Sequence, residues 1–455
     1  MGKRPNILLM VADDHRHDAI GACGDPVVQT PVMDGLIGDG VCFRQNHIMG
    51  GLSGAVCVPT RACLLTGVNV FRAAMVEDGG KFRGSGEIDA ALETLPEVFR
   101  RAGYRTFATG KWHNDRDSFH RGFEDGAKIF FGGMSDHLQV PVYDYDAEGK
   151  YPEEACYMGE KFSTDLFCDA AIDFLRGYGE EEPFFLYLAF TSPHDPRMAP
   201  REWAENYRPE DVVLPANFAP EHAFDNGEMR VRDEDLAPFP RTEEVVRRHI
   251  ADYYAMIAHQ DAHMGRVLEA LEESGCGDDD TIVVYMADHG LAVGQHGLLG
   301  KQNMYDHSVR VPLIVRGPGL PRGVQVERLT YSYDVFPTLC ELAGLEVPEM
   351  VEGTSLVGLA GGGVDEVRET VFSIYREIQR MVKDERWKLI RYYRDDAGEK
   401  GSERVQLFDL QEDPWEMNDL SEEPGCGEHL TWLAQAMQHW QESLHDPWKD
   451  RPVLP

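Results

Sequence analysis

Over the first three quarters of this chain, short apolar runs alternate with segments of helical periodicity. The runs are rich in β-branched and aromatic residues, as strands are, and they occupy 6–11, 105–109, 184–190, 281–287 and 311–316. The helical segments between them include 93–102, 164–177 and 243–274. Because strands that alternate with helices favour parallel pairing, the sequence predicts an α/β fold with a large, mostly parallel sheet flanked by helices.

The pattern changes after three consecutive glycines at 361–363. Beyond them, short strands joined by charged turns are predicted at 370–375, 380–382, 387–393 and 405–410, followed by a helix at 427–443. This change predicts a division into residues 1–363 and a smaller C-terminal α+β domain, residues 364–455, which we expect to complete a substrate cleft.

The charge balance excludes one class of partner. The 455 residues include 44 Lys and Arg against 79 Asp and Glu, a formal net charge of −35. A surface for nucleic acid is therefore not expected. A locally basic pocket remains compatible with this excess, because 0.1 M salt screens exposed charges beyond about 10 Å.

The N-terminal apolar run bears on membranes and export. The run at 7–12 is too short to span a bilayer and is followed by Asp13-Asp14, so no membrane partner is expected. It also lacks the long apolar region and the small-residue cleavage site of a secretory signal. We expect a cytoplasmic protein from the sequence as written, or a periplasmic or secreted one if an export signal has been removed. No pattern in the sequence indicates an oligomeric state.

The nine cysteines are scattered and include no Cys-x-x-Cys pair, which argues against a disulfide framework or a structural zinc site. Cys57 stands apart because Pro59 and Arg61 follow it at the start of an apolar helical segment. A helix that begins here would put Cys57 at the positive end of its dipole, where an anion is stabilised. The alternative is a buried structural cysteine before an ordinary helix.

Acidic residues follow two of the predicted strands directly. In open parallel sheets the ligand crevice lies beyond the carboxyl ends of the strands, so these residues are expected to meet at one edge. Asp13 and Asp14 follow the first strand, and Asp288 and His289 follow the fourth. Adjacent carboxylates repel each other unless a cation separates them, and oxygen donors with one imidazole suit calcium, magnesium or manganese. An exposed acidic turn is the alternative.

Basic residues follow other strands. Lys111 and His113 stand two positions apart after 105–109, so on extended backbone both project to one side and can reach one oxyanion. His194, in the loop after 184–190, is a second candidate acid or base. Lys301, on a glycine-rich loop, is a candidate contact to a leaving group. Taken alone, each of these is more often a surface or core residue.

In sequence order, these motifs resemble those of the formylglycine-dependent sulfatases of the alkaline phosphatase superfamily. The matching segments are 5–9, 13–14, 57–61, 110–113, 192–194, 288–290 and 300–301. The tail at 406–414 resembles the smaller domain of those enzymes. In this family a maturation enzyme oxidises the cysteine to formylglycine. The hydrated aldehyde has two geminal hydroxyls, of which one attacks sulfur and the other later expels the sulfate.

The resemblance implies a metal site and a set of catalytic residues. The residues that would hold calcium, with magnesium or manganese as alternatives, are Asp13, Asp14, Cys57 after modification, Asp288 and His289. Family members often have asparagine in place of the last of these. The residues that would act on the sulfate are Arg61, Lys111, His113, His194 and Lys301.

The resemblance also implies a role for each of the catalytic residues. Arg61 would orient the aldehyde hydrate. Lys111, His194 and Lys301 would hold the sulfate oxygens, because cations placed around a transferring anion stabilise charge that develops in the transition state. Asp288 would accept a proton from the attacking hydroxyl, and His113 would take the second proton as sulfate leaves.

The substrate is expected to be a sulfated saccharide. The segments 130–137, 192–197 and 300–312 resemble those of bacterial sulfatases that act on glycosaminoglycans and related polysaccharides, including 2-O-sulfated uronic acids. Candidate contacts to a sugar carboxylate are Arg197, His137 and Arg380. Besides this substrate, the resemblance implies a formylglycine-generating maturation enzyme as a partner.

Two other functions remain open at this point. A phosphodiesterase or phosphonate monoester hydrolase of the same superfamily resembles the sulfatases down to the modified cysteine. A non-catalytic protein that binds sulfated glycans would result if Cys57 is never matured.

Overall fold

The computed structural model describes residues 4–79, 81–179, 181–277 and 279–454. Its strands are β1 (Asn6–Ala12), β2 (Val41–His47), β3 (Gly50–Gly51), β4 (Met75–Asp78), β5 (Lys81–Gly84), β6 (Arg105–Lys111), β7 (Asp125–Phe130), β8 (Pro141–Val142), β9 (Tyr157–Met158), β10 (Phe184–Ala189), β11 (Thr281–Ala287), β12 (Leu313–Arg316), β13 (Val324–Tyr331), β14 (Val371–Tyr375), β15 (Gln379–Lys383), β16 (Trp387–Tyr392) and β17 (Arg404–Asp409).

The α-helices are α1 (Pro31–Asp39), α2 (Cys57–Thr66), α3 (Val70–Ala74), α4 (Leu95–Arg101), α5 (Arg116–Gly122), α6 (Ser163–Gly177), α7 (Arg201–Ala204), α8 (Glu243–Glu273), α9 (Asp306–Val309), α10 (Val335–Leu342), α11 (Val357–Ala360) and α12 (Gly427–Ser443). In the part of the chain that the structure describes, no helix combines the length and the apolar character that crossing a bilayer requires.

The main sheet has eight strands in the order β13-β2-β12-β11-β1-β10-β6-β7. The five strands from β11 to β7 are mutually parallel, and β13 is parallel to β2. The predicted large, mostly parallel sheet is thus confirmed. The predicted strand at 311–316 forms as β12 but runs antiparallel to both of its neighbours, which makes the sheet mixed.

The central strands are buried on both faces. Along β1, the side chains of Ile7 and Val11 enter one apolar cluster, and those of Leu8 and Met10 enter the cluster on the opposite face. Helices cover both faces, which is why β1, β10 and β11 have apolar residues in succession instead of an alternating pattern. The same uninterrupted runs made these strands recognisable in the sequence.

A second sheet contains the C-terminal strands in the order β17-β16-β15-β14-β3. Its first four strands are antiparallel, as a smaller α+β unit requires, and the predicted C-terminal helix forms as α12. The fifth strand, β3, comes from near the N-terminus and lies parallel to β14, with Ile374 N–H donating to Met49 O at 2.9 Å. The C-terminal sheet therefore holds the segment that leads into α2.

A bulge near the end of β6 redirects the chain. The register of β6 against β7 shifts between Ala108 and Gly110, and Gly110 has a φ of +91°. A Cβ atom at this position would lie 1.8 Å from the backbone oxygen of Ala189. Only glycine fits this backbone, and bulges of this kind re-aim the side chains that follow, here Lys111.

We expect Gly110→Ala to destabilise the fold by about 2 kcal/mol or more, because the new methyl group meets backbone and the positive φ is strained. The matched control is Gly38→Ala in α1, where no atom lies within 4 Å of the added Cβ. That change should stabilise the helix by about 0.5–1 kcal/mol. Urea denaturation followed by circular dichroism measures both, and equal free energies of unfolding for the two variants would contradict the steric argument.

Candidate active site at the carboxyl ends of the strands

Four adjacent strands deliver polar side chains to one edge of the main sheet. Ala12 of β1 lies opposite Ala287 of β11, so Asp13 and Asp288 emerge side by side. The Asp288 N–H donates to Ala12 O at 3.1 Å. On the other side of β1, Asp13 N–H donates to Ser192 O at 3.1 Å, which fixes the loop after β10 against the same edge. The expected convergence of the strand ends is observed.

Asp13, Cys57, Asp288 and His289 present ligand atoms that all lie within 4.8 Å of one another, and all four residues are buried. Asp14 joins them, since its Oδ1 lies 2.9 Å from His289 Nδ1. Asp14 has a left-handed backbone conformation, with a φ of 71°. Its backbone carbonyl oxygen accepts a hydrogen bond from the Tyr253 hydroxyl at 2.6 Å. The structure thus brings all five predicted metal ligands together.

The donor atoms fit a divalent cation. Within the described residues, Asp13 Oδ1, Asp14 Oδ2 and His289 Nε2 are buried and have no hydrogen-bond partner. Buried polar atoms without partners are costly, and a coordinated ion is one of the few groups that satisfies several of them together. Three carboxylates with one imidazole form a hard, oxygen-rich donor set, suited to calcium, magnesium or manganese.

Two lysines and a histidine lie against the carboxylates and offset part of their charge. Burial would lower the pKa of His289, but the charges of Asp288 and Asp14 raise it to about 10. Burial opposes ionisation of Asp13 as well, yet the charges of Lys111, His194 and Lys301 together outweigh it and keep the pKa of that carboxyl below its ordinary value. Burial and the charge of Asp13 both raise the pKa of Asp288. The cluster therefore holds positive charge in close contact with its acids.

Cys57 is the first residue of α2, as the sequence predicted, so its side chain lies at the positive end of the helix dipole. Its Sγ is 3.1 Å from His113 Nδ1. Burial alone would raise the pKa of the thiol, but the charges of Lys111 and His113 lower it well below the ordinary value. Two cationic groups, Lys111 and His113, thus stabilise negative charge at position 57, and the His113 ring can exchange a proton with the atom there.

Two lysines contact two different carboxylates of the cluster. Lys111 Nζ donates to Asp13 and, at 2.6 Å, to the backbone oxygen of Gly133. Lys301 Nζ donates to Asp14 Oδ1 at 2.8 Å. Burial would lower the pKa of Lys301, but Asp14 and Asp233 raise it well above the ordinary value, so this lysine stays charged.

His194 lies beside the cluster with a fixed ring orientation. Its Nδ1 donates to the backbone oxygen of Asp195 at 2.8 Å, which leaves Nε2 facing Asp14 Oδ2 at 3.9 Å. Arg232 in turn holds the Asp195 carboxylate through two hydrogen bonds of 2.8 and 3.1 Å. The backbone oxygen of His194 also accepts a hydrogen bond from buried His137 at 3.0 Å.

Arg61 is fully buried behind the cluster and fixes its parts. Its Nε donates to Asp288 Oδ2 at 2.9 Å, and its Nη1 donates to the backbone oxygen of Lys111 at 2.8 Å. One guanidinium thus links α2 to the ends of β11 and β6. These contacts position a metal ligand and a lysine, and the predicted role in orienting an aldehyde hydrate stays a prediction.

The residues expected to contact a sugar carboxylate have other partners. Arg380 is fully buried and pairs with Asp446 through two hydrogen bonds of 2.7 and 3.0 Å. The prediction that Arg380 contacts the substrate is therefore wrong, because its buried guanidinium is paired with Asp446. His137 is buried between Ser163 and His194, and Arg197 contacts His249 Nδ1 at 2.9 Å.

Several residues of the site were missed in the sequence. Gly133 accepts from Lys111, and a Cβ there would lie 2.4 Å from His113 Nε2, so its lack of a side chain leaves room for that ring. Gly133 lies in the segment 130–137, whose resemblance to bacterial sulfatases was recognised, but that resemblance assigned it no role in the site. Arg232 and Tyr253 lie in segments that no local motif marks, and only the fold brings them to the site.

Removal of one carboxylate tests the metal site. We expect Asp288→Asn to weaken Ca²⁺ binding by more than about tenfold, because even changes outside the ligand shell cost that much. Calorimetric titration of chelator-treated protein measures the affinity, and circular dichroism checks that the variant is folded. Asp450→Asn, at an exposed carboxylate, is the control. A folded Asp288→Asn variant with unchanged Ca²⁺ affinity would contradict the assignment.

Comparison with known proteins agrees with the fold. The chain is 27% identical to an N-acetylglucosamine-6-O-sulfatase from Bacteroides thetaiotaomicron, over 98% of this chain and 87% of that one. A protein solved in complex with its substrate D-glucosamine-2-N,6-O-disulfate superposes with a TM-score of 0.81 at 24% identity, covering 99% of both chains. The phosphonate monoester hydrolase of Agrobacterium radiobacter superposes with a TM-score of 0.74 at 24% identity, covering 97% and 96%.

Two family models match. Residues 294–443 match the C-terminal model of N-sulphoglucosamine sulphohydrolase, which spans most of the second sheet. Residues 5–345 match the sulfatase model, a range that includes every strand end of the site and α2. The chain therefore belongs to the sulfatase family, whose members are sulfuric ester hydrolases.

Proposed function

We propose that this protein hydrolyses sulfate esters of a carbohydrate and that it does so through a formylglycine derived from Cys57. The observation that carries the proposal is the position of Cys57 at the start of α2, within 4.8 Å of three metal-ligand side chains and 3.1 Å from His113. A cysteine that is buried only to pack the core needs neither a cluster of metal-ligand side chains nor a histidine beside its sulfur. The hydrated aldehyde would supply a hydroxyl nucleophile on the carbon that now bears the thiol.

The sulfate group would be bound by cationic side chains around position 57. Lys111 contacts Asp13, Lys301 contacts Asp14, and His194 Nε2 faces Asp14 as well. Their positions are fixed before substrate arrives, by Gly133, Asp14 and Asp195. Donors that are held in place stabilise developing negative charge without reorganisation, which is the largest single contribution in many enzymes.

Proton transfer would be divided between two histidines. His113 Nδ1 contacts the side-chain atom of residue 57, so His113 is placed to take a proton from a hydroxyl at that position. His194 has its Nε2 directed towards Asp14, which Lys301 also contacts, so either His194 or Lys301 is placed to protonate the departing alcohol. A divalent cation held by the carboxylates and His289 would lower the pKa of a bound hydroxyl and offset the sulfate charge.

The burial of the segment from Cys57 to Arg61 limits the stage of folding at which Cys57 would be oxidised to formylglycine. Cys57 is 2% exposed and Arg61 is fully buried. An enzyme that oxidises Cys57 needs access to this segment, so it would act on the chain before folding is complete. The formylglycine-generating enzyme is therefore proposed as a partner of the unfolded chain and not of the native protein.

The carbohydrate class is supported by the relatives, of which one is named for N-acetylglucosamine-6-O-sulfate and another is solved with a disulfated glucosamine. The narrower prediction of a 2-O-sulfated uronic acid loses one expected contact, because Arg380 is buried in its pair with Asp446. A panel of 6-O-, N- and 2-O-sulfated saccharides, followed by sulfate release, distinguishes the positions. Sulfate release from none of them would contradict a carbohydrate substrate.

We expect Cys57→Ala to abolish sulfate release, by more than about 10³-fold, because a methyl group supplies no nucleophile. Cys63→Ala, the same exchange in the same helix, should keep the activity of the original protein, because Cys63 is packed in the apolar core and is not among the clustered ligand residues. Both variants are compared on an aryl sulfate after co-expression with a formylglycine-generating enzyme. Residual sulfatase activity in a folded Cys57→Ala variant would exclude the proposed nucleophile.

The phosphonate monoester hydrolase alternative is favoured by the fold similarity to such enzymes. Sulfate and phosphate esters differ chiefly in charge, and they compete for the same cationic site. We expect kcat/KM to be higher for an aryl sulfate than for a matched aryl phosphodiester or phosphonate monoester. The opposite order would support the alternative and overturn the proposed function.

A further inference from the structure

A second cluster of metal-ligating side chains lies outside the active site, between α6 and α8. His259 and His263 are one turn apart on α8, and Asp165 extends from the first turn of the neighbouring α6. Their ligand atoms all lie within 4.8 Å of one another. None of the three is among the active-site ligands, and the sulfate chemistry described above does not use them.

The geometry of the cluster matches that of a metal site. Two histidines four residues apart on a helix project from one face, the spacing at which helical zinc sites take two ligands. Asp165 Oδ2 lies 3.0 Å from His259 Nε2, and Asp165 Oδ1 lies 3.5 Å from His263 Nε2. The carboxylate thus stands between the two ring nitrogens, and the three residues offer the donor set His₂Asp.

The hydrogen bonding of the cluster is incomplete. In the described part of the chain, Asp165 Oδ2 and His259 Nδ1 are buried atoms without a hydrogen-bond partner, although Oδ2 closely approaches the His259 ring. His259 is 1% exposed and its ring is packed edge-on against Phe162 and Trp203. An imidazole held rigidly by aromatic rings, with its Nε2 aimed at a carboxylate, is pre-organised for a cation.

We propose that Asp165, His259 and His263 form a second metal site that takes a zinc-type divalent cation through three protein ligands. Imidazole with carboxylate suits zinc, and three protein ligands leave a position for water. The site opens to solvent on the side of Asp165, whose side chain is 30% exposed. A bound ion would join the first turn of α6 to α8 and so stabilise the native state.

Arg266 is expected to oppose this ion. Its Nη1 lies 2.8 Å from His263 Nδ1, and its Nη2 donates to Asp169 at 2.6 Å. Because a guanidinium only donates, Nδ1 accepts and the ring hydrogen sits on Nε2, the atom that faces Asp165. Coordination through Nε2 requires that hydrogen to move to Nδ1 and Arg266 to turn away. Arg266 also adds a positive charge beside the site, and its side chain is half-exposed.

The test is a titration of the full chain with Zn²⁺ in saturating Ca²⁺, which occupies the oxygen-rich active site. We expect the unmodified protein to bind one equivalent more than His263→Gln and than Asp165→Asn, and its melting temperature to rise with Zn²⁺. Arg266→Gln should bind Zn²⁺ several-fold more tightly, since it removes the competing donor and its charge. His439→Gln, at an exposed histidine on α12, should match the unmodified protein.

Two results would overturn the site. One is equal Zn²⁺ stoichiometry in the unmodified protein and in folded His263→Gln, which would leave the three residues as a structural hydrogen-bonded triad. The other is unchanged or weaker Zn²⁺ binding in Arg266→Gln, a variant that keeps all three ligands. Neither result depends on sulfatase activity, so failure of this proposal is distinguishable from failure of the proposed function.

Discussion

Three carboxylates, those of Asp13, Asp14 and Asp288, are completely buried at the ends of two neighbouring strands. Burying even one unpaired charge costs several kcal/mol, so this arrangement exists only because cationic groups enclose it. Lys111 and Lys301 contact two of the carboxylates, and Arg61 pairs with the third. This balance of carboxylates and cationic side chains determines the rest of the site. It places a site for a cation, at the carboxylates, next to a site for an anion, at the lysines.

The same balance explains how an acidic protein can act on an anion. The net charge of −35 belongs to the whole surface, where solvent screens it. Inside the site, the dielectric constant is low and the distances are short, so the charges of the nearby lysines and histidines dominate the electrostatic energy of a bound anion. Arg61 shows how closely the parts depend on each other, because one side chain pairs with a metal ligand and also holds the backbone of Lys111.

Much of the fold was predictable because the central strands are buried on both faces and therefore appear as uninterrupted apolar runs. By contrast, β2 carries Arg44, Gln45 and Asn46, and β7 begins with Asp125. Neither segment has the uninterrupted apolar run that predicts a buried strand. The antiparallel direction of β12 was also beyond prediction, since it depends on the route of the chain and not on local composition.

The candidate site was predictable where its residues lie at strand ends or just beyond them, as Lys111, Asp13, His194 and Asp288 do. It was not predictable where tertiary contact alone creates the partnership. Arg232 holds Asp195 from 37 residues away, and Gly133 is marked only by the space that it leaves for His113. Arg380 illustrates the opposite error, because a charged side chain that looks available in the sequence is enclosed in a buried pair.

The chemical state of residue 57 decides between an enzyme and a binding protein with the same fold. The most direct measurement is the mass of the proteolytic peptide that contains residue 57, taken from protein matured in its own host or with a formylglycine-generating enzyme. Conversion predicts a peptide lighter by the exchange of a thiol-bearing for an aldehyde-bearing side chain, and one that reacts with an aldehyde-specific hydrazide. A peptide with the full cysteine mass from that protein, in the presence of sulfatase activity, would contradict the proposed chemistry.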